Sequence, residues 1–407
     1  MVLVSHPTGN QFVRHLLLSL QKEGLLSEFW TCINWPREAW QNRVIPRVLL
    51  KDLMRRSFHD VDNTLIETYP RREIGRLGCK GLGLSFLSRH ERGMFSLDKV
   101  YQSLDKRVSR RLKSLNVNAV YAYEDGALKT FQQADKIGVK KIYDLPIAYW
   151  SMAHRLYAEE VERLPEWAVT MEGILDSERK LARKTEEIEL ADVVVCPSKF
   201  VHSSLPDLIK ENKKCIVTPF GSPLVRDFRP TRKLNRGVLR VLFAGSMSQR
   251  KGLGDLFQAM KLVDDSSVEL HVLGSLLAPL SFYKSQYRKF FHHRSRSHDE
   301  VLKLMRDFDV FCLPSIIEGR ALVVQEAMMS KLPVIITPNT GGEDLVEEGE
   351  TGFLVPIRSP EKIAEKITWF LENKDSIEGM GLAAKKKAES ITWKNYGDMI
   401  IQATKGD

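Results

Sequence analysis

No apolar run approaches the roughly 20 residues needed to cross a bilayer, so the chain is not expected to be a helical membrane protein. Cysteine is scarce. Cys32, Cys79, Cys196, Cys215 and Cys312 are odd in number and scattered, with no CxxC pair, which argues against a disulfide framework or a cysteine-ligated zinc. A reducing compartment follows. There is no low-complexity tract and no repeat at a fixed period, so neither a disordered chain nor a solenoid is expected. The opening MVLVSHPTGN enters a short apolar strand without a basic lead-in, so no signal peptide is expected and the cytoplasm is the predicted location.

Acidic residues are thin in one place. Between Arg43 and Lys113 there are 17 Lys or Arg against 8 Asp or Glu, while the rest of the chain is balanced, so the whole net charge of +9 sits in one block. Read blandly, the block is a solvated face; read functionally, it meets an anionic membrane or an anionic acceptor. Its sharpest piece is residues 100–115, where Tyr101, Leu104, Val108, Leu112 and Leu115 form an apolar stripe. Lys106, Arg107, Arg110, Arg111 and Lys113 lie off that stripe. No nucleic-acid recognition motif accompanies the block, so no nucleic-acid partner is predicted.

The 407 residues, 43% hydrophobic and 28% charged, suit about two globular domains. Short β-rich runs alternate with helical patterns. In the first half these are VLVS (2–5), VNAVYAY (117–123), KKIYDL and DVVVCPS (192–198). In the second they are LRVLFAG (239–245), VELHVLG (268–274), DVFCLPS (309–315) and LPVIITP (332–338). This alternation predicts an α/β protein of two Rossmann-like doubly wound domains, with parallel sheets covered on both faces and a ligand in the cleft between their strand ends. The expected divisions are a first domain over 1–222, a Pro/Gly/Arg-rich linker over 223–237, a second domain over 238–389 and a last helix over 390–407.

Two stretches carry chemistry. In residues 314–356, Glu318 follows a strand and Glu326 lies inside the helical ALVVQEAMM. Eight residues of helix rise about 12 Å. That exceeds the roughly 5 to 9.5 Å of a glycosidase carboxylate pair. The two are better suited to hold separate points of one ligand, a carboxylate being able to accept two hydroxyl hydrogen bonds from a sugar diol. Between them Gly319, Arg320 and Ala321 open a helix, where free amides and a guanidinium suit a phosphate. In LFAGSMSQRKGLGDLFQAM (242–260), Arg250 and Lys251 precede Gly252 at a helix start, fitting a diphosphate without the GxxxxGK[ST] of a Walker loop.

As a set, the Gly245-loop-Lys251-Gly252 element, the Glu318 and Glu326 pair and the segment KLPVIITPNTGG resemble the nucleotide-sugar domain of retaining family-four glycosyltransferases (glycosyl transferases group 1), which have the GT-B fold. The resemblance implies that Glu326 holds the donor ribose, that Glu318 lies near the transferred sugar, that Lys251 neutralises the diphosphate and that Gly245 admits the backbone to it. Ser246, Gly319, Arg320, Ala321 and Leu322 would complete the donor site, and Gly9 would close over the phosphates. The terminal helix with Trp393 would cross back onto the first domain. Two departures stand out: Ser246 replaces the family's usual Arg, with Arg250 as the substitute, and EGRA replaces EGFG. The family's sugar-side His has no obvious equivalent, and Tyr143, Asp144 and Glu124 are the candidates for the sugar or acceptor site.

The implied reaction is retaining transfer of a sugar from a nucleotide-diphosphate sugar to a glycan or lipid-linked hydroxyl acceptor, with no metal and no cofactor beyond the donor. Lys251, Arg250 and Glu318 would be catalytic. The alternatives are a nucleotide-sugar epimerase or a phosphorylase on the same fold, or a non-catalytic sugar-nucleotide-binding protein.

Overall fold

The computed structural model describes residues 1–36, 38, 42, 44–45, 47–171, 176–223 and 237–405. The expected linker over 223–237 falls almost wholly outside the described residues.

Valine-, isoleucine- and leucine-rich runs form two parallel sheets. The first holds β1 (Val2–Ser5), β2 (Leu26–Thr31), β3 (Ile66–Thr68), β4 (Ala119–Tyr123), β5 (Lys140–Asp144), β6 (Val193–Cys196) and β7 (Lys214–Val217), in the order β3-β2-β1-β4-β5-β6-β7. The second holds β8 (Leu239–Ala244), β9 (Val268–Leu273), β10 (Phe290–His293), β11 (Val310–Leu313), β12 (Val334–Ile336) and β13 (Gly352–Leu354), ordered β10-β9-β8-β11-β12-β13. Every residue of β1, β6 and β11 is buried, as expected of strands covered on both faces. In each sheet the chain winds outward from one strand and then returns to its other side. Strand order therefore reverses between β1 and β4 and between β8 and β11, where a crevice opens at the carboxyl ends.

The helices obey their sequence signals. Asn10 caps helix Gln11–Lys22 by accepting from the Val13 amide, and Phe12, Val13, Leu16, Leu17 and Leu20 form its buried face. Ser96 caps helix Leu97–Leu112. That helix buries Val100, Leu104, Val108 and Leu112 at every fourth residue. Its basic face is partly engaged: Arg111 pairs with Glu28 at 2.5 Å, and the Arg107 guanidinium lies 5.6 Å from the Trp30 ring.

Each sheet's core borrows a piece of chain from the other half. The final helix, Trp393–Thr404, buries Tyr396, Ile400 and Ile401 in the cluster that holds Phe12, Leu16 and Leu20. Its Trp393 stacks on His15 with ring centroids 4.0 Å apart. In the other direction, Trp167 packs beside Phe257, Phe282 and Tyr283 of the second core. Arg163 grips Asp255 through both carboxylate oxygens, at 2.7 and 2.9 Å. Arg358 pairs with Glu160 and, at 2.7 Å, with Glu159. These partly buried, charge-assisted contacts set the relation of the two sheets.

Candidate functional site

A cleft of about 940 Å³ lies between the two sheets, at the loops where their strand order reverses. Residues after β1, β4 and β5 form one wall, and residues after β8, β9 and β11 the other.

The loop after β8 is shaped around a cation. Gly245 has φ +152°, and a Cβ there would stand 2.6 Å from Cδ of Lys251. The side chain of Lys251 thus lies across the glycine into the cleft, and the glycine's positive φ is one that a residue with a Cβ rarely adopts. Its Nζ donates to Oε1 of Glu318 at 2.5 Å, and Nη1 of Arg250 donates to the same oxygen at 2.8 Å and to the Ile317 carbonyl at 3.0 Å. The Arg250 carbonyl in turn accepts from the amides of Ile316 and Ile317, joining the loops after β8 and β11. Burial drives the Lys251 pKa down, with Arg250 adding to the effect and Glu318 opposing it. Burial would raise Glu318, but Lys251 and then Arg250 hold it below the usual carboxylate range. All three line the cleft.

Glu318 precedes a tight crossing. A Cβ on Gly319 would stand 1.7 Å from the Pro146 carbonyl oxygen of the first domain, so only glycine permits this approach. The Gly319 carbonyl accepts from the Ser198 hydroxyl at 2.6 Å. Helix Leu322–Met329 then begins at Ala321, which offers no side-chain cap. The first-turn amides of Leu322 and Val323 have no intrahelical acceptor, and both residues line the cleft, as do Ser246, Gly319 and Ala321. One turn on, Glu326 lines it too, with Nδ1 of His298 at 3.5 Å and a pKa raised by burial.

Four of the expected residues have other partners or stand back from the cleft. Arg320 lines the cleft, but its buried guanidinium is already engaged, donating to Gln325, the Gly341 carbonyl and both oxygens of Asp344. A buried guanidinium requires such partners, and Asp344 supplies the opposite charge. Tyr143 and Asp144 are core residues of β5 rather than cleft residues. The Tyr143 hydroxyl faces Glu187 at 3.4 Å, and burial pushes Asp144 up to about 7, with Glu124 adding to the effect and Tyr121 opposing it. Gly9 stands just behind the wall: its amide donates to Nδ1 of His6 at 2.7 Å, while its neighbours Asn10, Gln11 and Phe12 line the cleft. Glu124, the remaining candidate on that side, does line the cleft, with Lys184 3.6 Å away.

The first-domain wall also holds residues that were not expected at the site: His90, Asp98, Asp125, Lys180 and Tyr101, which was read only as part of an apolar stripe. Lys180 joins them, with its Nζ 3.0 Å from Asp98, 2.9 Å from Asp176 and 3.6 Å from Asp125. The one available signal was the run Lys180, Arg183, Lys184 and Glu187 at three- and four-residue spacing, which on a helix shares one face. Among the described residues His90, Glu91 and Asp176 stand close enough to hold a metal ion, but Asp176 already faces the ammonium groups of Lys180 and Lys184. On the opposite wall Ser275, Ser295 and Arg296 were likewise not anticipated.

Residues 226–387 match the family model described as glycosyl transferases group 1. The chain is similar to the capsular polysaccharide biosynthesis glycosyltransferase CapM of Staphylococcus aureus, 26% identical over 51% of this chain and 60% of that protein. It is also similar to D-inositol 3-phosphate glycosyltransferase of Paenarthrobacter aurescens, 26% identical over 43% of this chain and 47% of that one. The matches thus span about half the length of these relatives. Among solved structures, sucrose-phosphate synthase from Thermosynechococcus elongatus superposes with a TM-score of 0.67 at 16% identity, covering 99% of this chain and 97% of its own. Anabaena HepE in complex with UDP and glucose superposes with a TM-score of 0.60 at 14% identity, covering 99% and 98%. The chain has the GT-B fold of two Rossmann-like domains, and its second half is similar to the glycosyl transferases group 1 family over the matched residues.

Proposed function

We propose that the protein is a metal-independent, retaining glycosyltransferase that moves a sugar from a nucleotide-diphosphate sugar to a hydroxyl acceptor. One observation carries the reading: Lys251, Arg250, Glu318 and the open first turn at Leu322 converge on one side of the interdomain cleft. Two cations and free amides favour a group whose negative charge grows during reaction, which is what a departing diphosphate is. A buried ammonium with a depressed pKa gains most when such an anion arrives, because the anion supplies the countercharge that water no longer provides. Glu326, further along the same helix, suits the ribose diol.

In this mechanism the bond between the anomeric carbon and the β-phosphate oxygen breaks as the acceptor oxygen bonds to the same face of that carbon. The acceptor proton passes to the departing phosphate oxygen, so no protein base is required. Lys251 and Arg250 hold the charge left on the diphosphate, and Glu318, fixed by both, lies toward the sugar. The opposite wall, with Glu124, Asp125, Lys180 and His90, offers donors and acceptors to a hydroxyl-rich acceptor, a glycan or a lipid-linked sugar. HepE is a fold neighbour that holds UDP and glucose, so uridine donors are the first to test.

The test is a screen of the purified protein with UDP-, GDP- and ADP-sugars, with and without candidate acceptors and with chelator present. Nucleoside diphosphate release that acceptor accelerates, and a product with the donor's anomeric configuration, are expected. An isomerised nucleotide sugar formed without acceptor would point to an epimerase. Dependence on inorganic phosphate would point to a phosphorylase.

A further inference from the structure

We propose that residues 71–97 form a docking surface for an anionic lipid membrane at the mouth of the cleft. The segment is one compact unit: helix Arg71–Gly81, a turn at Ser85–Ser88 and a return loop. The Leu84 amide donates to the Cys79 carbonyl, the Phe95 amide to the Leu87 carbonyl, and Arg72 to the Met94 carbonyl. From this unit Ile74, Leu82, Phe86 and Met94 project into solvent at 56, 76, 67 and 61% exposure. Leu84 and Leu97 are exposed beside them, and every residue of the stretch Gly81–Phe86 is exposed. Large apolar side chains gathered at this density on a surface mark an interaction site rather than ordinary surface scatter.

Charge selects the partner. The acids of the segment are engaged by the protein. Glu73 is fully buried between Arg56 and Arg76, Asp98 pairs with Lys180, and Glu91 accepts from Ser177. Arg71, Arg89 and Arg92 are exposed. The outward face is therefore apolar and cationic, which complements anionic headgroups above an acyl region. The helix Leu97–Leu112 is also cationic, but it buries Val100, Leu104, Val108 and Leu112, and its Arg107 and Arg111 face Trp30 and Glu28, so the unit is the part that joins exposed cations to exposed apolar side chains. The unit is continuous with the cleft, whose wall includes His90, Leu97 and Asp98. A membrane docked here would present a lipid-linked acceptor to the first-domain wall. That last step rests on the glycosyl-transfer reading; the docking does not.

The experiment is sedimentation of the full chain with vesicles of phosphatidylcholine alone or mixed with phosphatidylglycerol, at low and high salt. The wild type should sediment with the mixed vesicles at low salt and stay in solution with the neutral ones. Leu82→Ser/Phe86→Ser and Arg89→Glu/Arg92→Glu should each lower binding at least about tenfold, while Lys106→Glu/Arg110→Glu changes it little. Circular dichroism and thermal melts verify that each variant is folded. Wild-type protein remaining in the supernatant overturns the proposal, as does binding that survives both variants of the unit or is lost only in Lys106→Glu/Arg110→Glu. Concentration-dependent dimers abolished by Leu82→Ser/Phe86→Ser, without vesicle binding, would assign the face to a second copy instead and also overturn it. No donor or acceptor is needed, so failure here leaves the sugar-transfer reading untouched.

Discussion

Replacing Lys251 with alanine separates holding the fold from stabilising the reaction. The substitution removes the ammonium 2.5 Å from Glu318, but Arg250 stays 2.8 Å from the same oxygen, so no carboxylate is left buried without a cation. The cost of about 3–5 kcal/mol for breaking a buried pair therefore does not apply in full. The stability loss should be about 1.5–3 kcal/mol, that of one charge-assisted hydrogen bond. The effect on rate should be larger. Removing one positioned donor from a developing anion costs about 10²–10³ in kcat, or about 3–4 kcal/mol. Steady-state kinetics with the donor found in the screen should show kcat down by at least about 100-fold, with a smaller change in the donor KM. Thermal unfolding should shift by only a few degrees. A loss confined to KM would show that Lys251 holds only the ground state, and that would refute the argument. Arg250→Ala supplies the paired test: if Arg250 is the second cation, its kcat loss should be of similar size.

Glu326→Ala should weaken nucleoside diphosphate binding by about 1–3 kcal/mol, because a ribose diol loses its shared acceptor; unchanged affinity in calorimetry would remove Glu326 from the site. Asp144→Asn should act on stability and not on turnover. Folded Asp144 titrates at about 7 against 3.8 ordinarily, so the folded protein keeps a proton that the unfolded chain releases, and wild-type stability declines as pH rises from about 4 to about 7. The amide escapes that decline, and the variant should gain up to about 4 kcal/mol relative to wild type above pH 7, read from melts across pH; a gain equal at pH 5 and pH 8 would contradict this. Gly319→Ala places a methyl 1.7 Å from the Pro146 carbonyl and should cost at least about 2 kcal/mol of stability or open the cleft; a melt and donor affinity both like wild type would show that this contact yields easily.

What the sequence made legible follows from the reach of each signal. The runs 239–245, 268–274, 309–315 and 332–338 coincide with β8, β9, β11 and β12: β11 and β12 are wholly buried apolar stretches, and β8 and β9 are largely so, broken by Arg240, Glu269 and His271. Gly245, Lys251, Glu318 and Glu326 share the second-domain side of the cleft, and each sits within a few residues of a strand end or helix start that local pattern can find. The short edge strands β3, β7, β10 and β13 were not anticipated, since three or four residues carry little periodicity, nor was β2, whose LSEFWT mixes polar and apolar residues. The pairing of Arg320 with Asp344 was not foreseen, because the two are 24 residues apart and nothing local announces it. Trp167, in the first half of the chain, packs into the second core for a reason visible only in tertiary contacts. Likewise the first-domain wall draws His90, Asp98, Glu124 and Lys180 from four separate segments, which no spacing rule connects. The surplus of positive charge was plain in composition, but which of those residues face outward depends on Glu73 and Asp98 turning in.

The central claim is that the side of the cleft formed by Lys251, Arg250, Glu318 and Glu326 receives a nucleoside diphosphate. Calorimetric titration of UDP, GDP and ADP into the wild type and Lys251→Ala, with chelator present, tests it most directly. At least one diphosphate should bind the wild type at one-to-one stoichiometry and bind the variant about tenfold or more weakly, the loss expected for one charged hydrogen bond. Absence of binding by all three, or equal affinity for both proteins, would contradict the account.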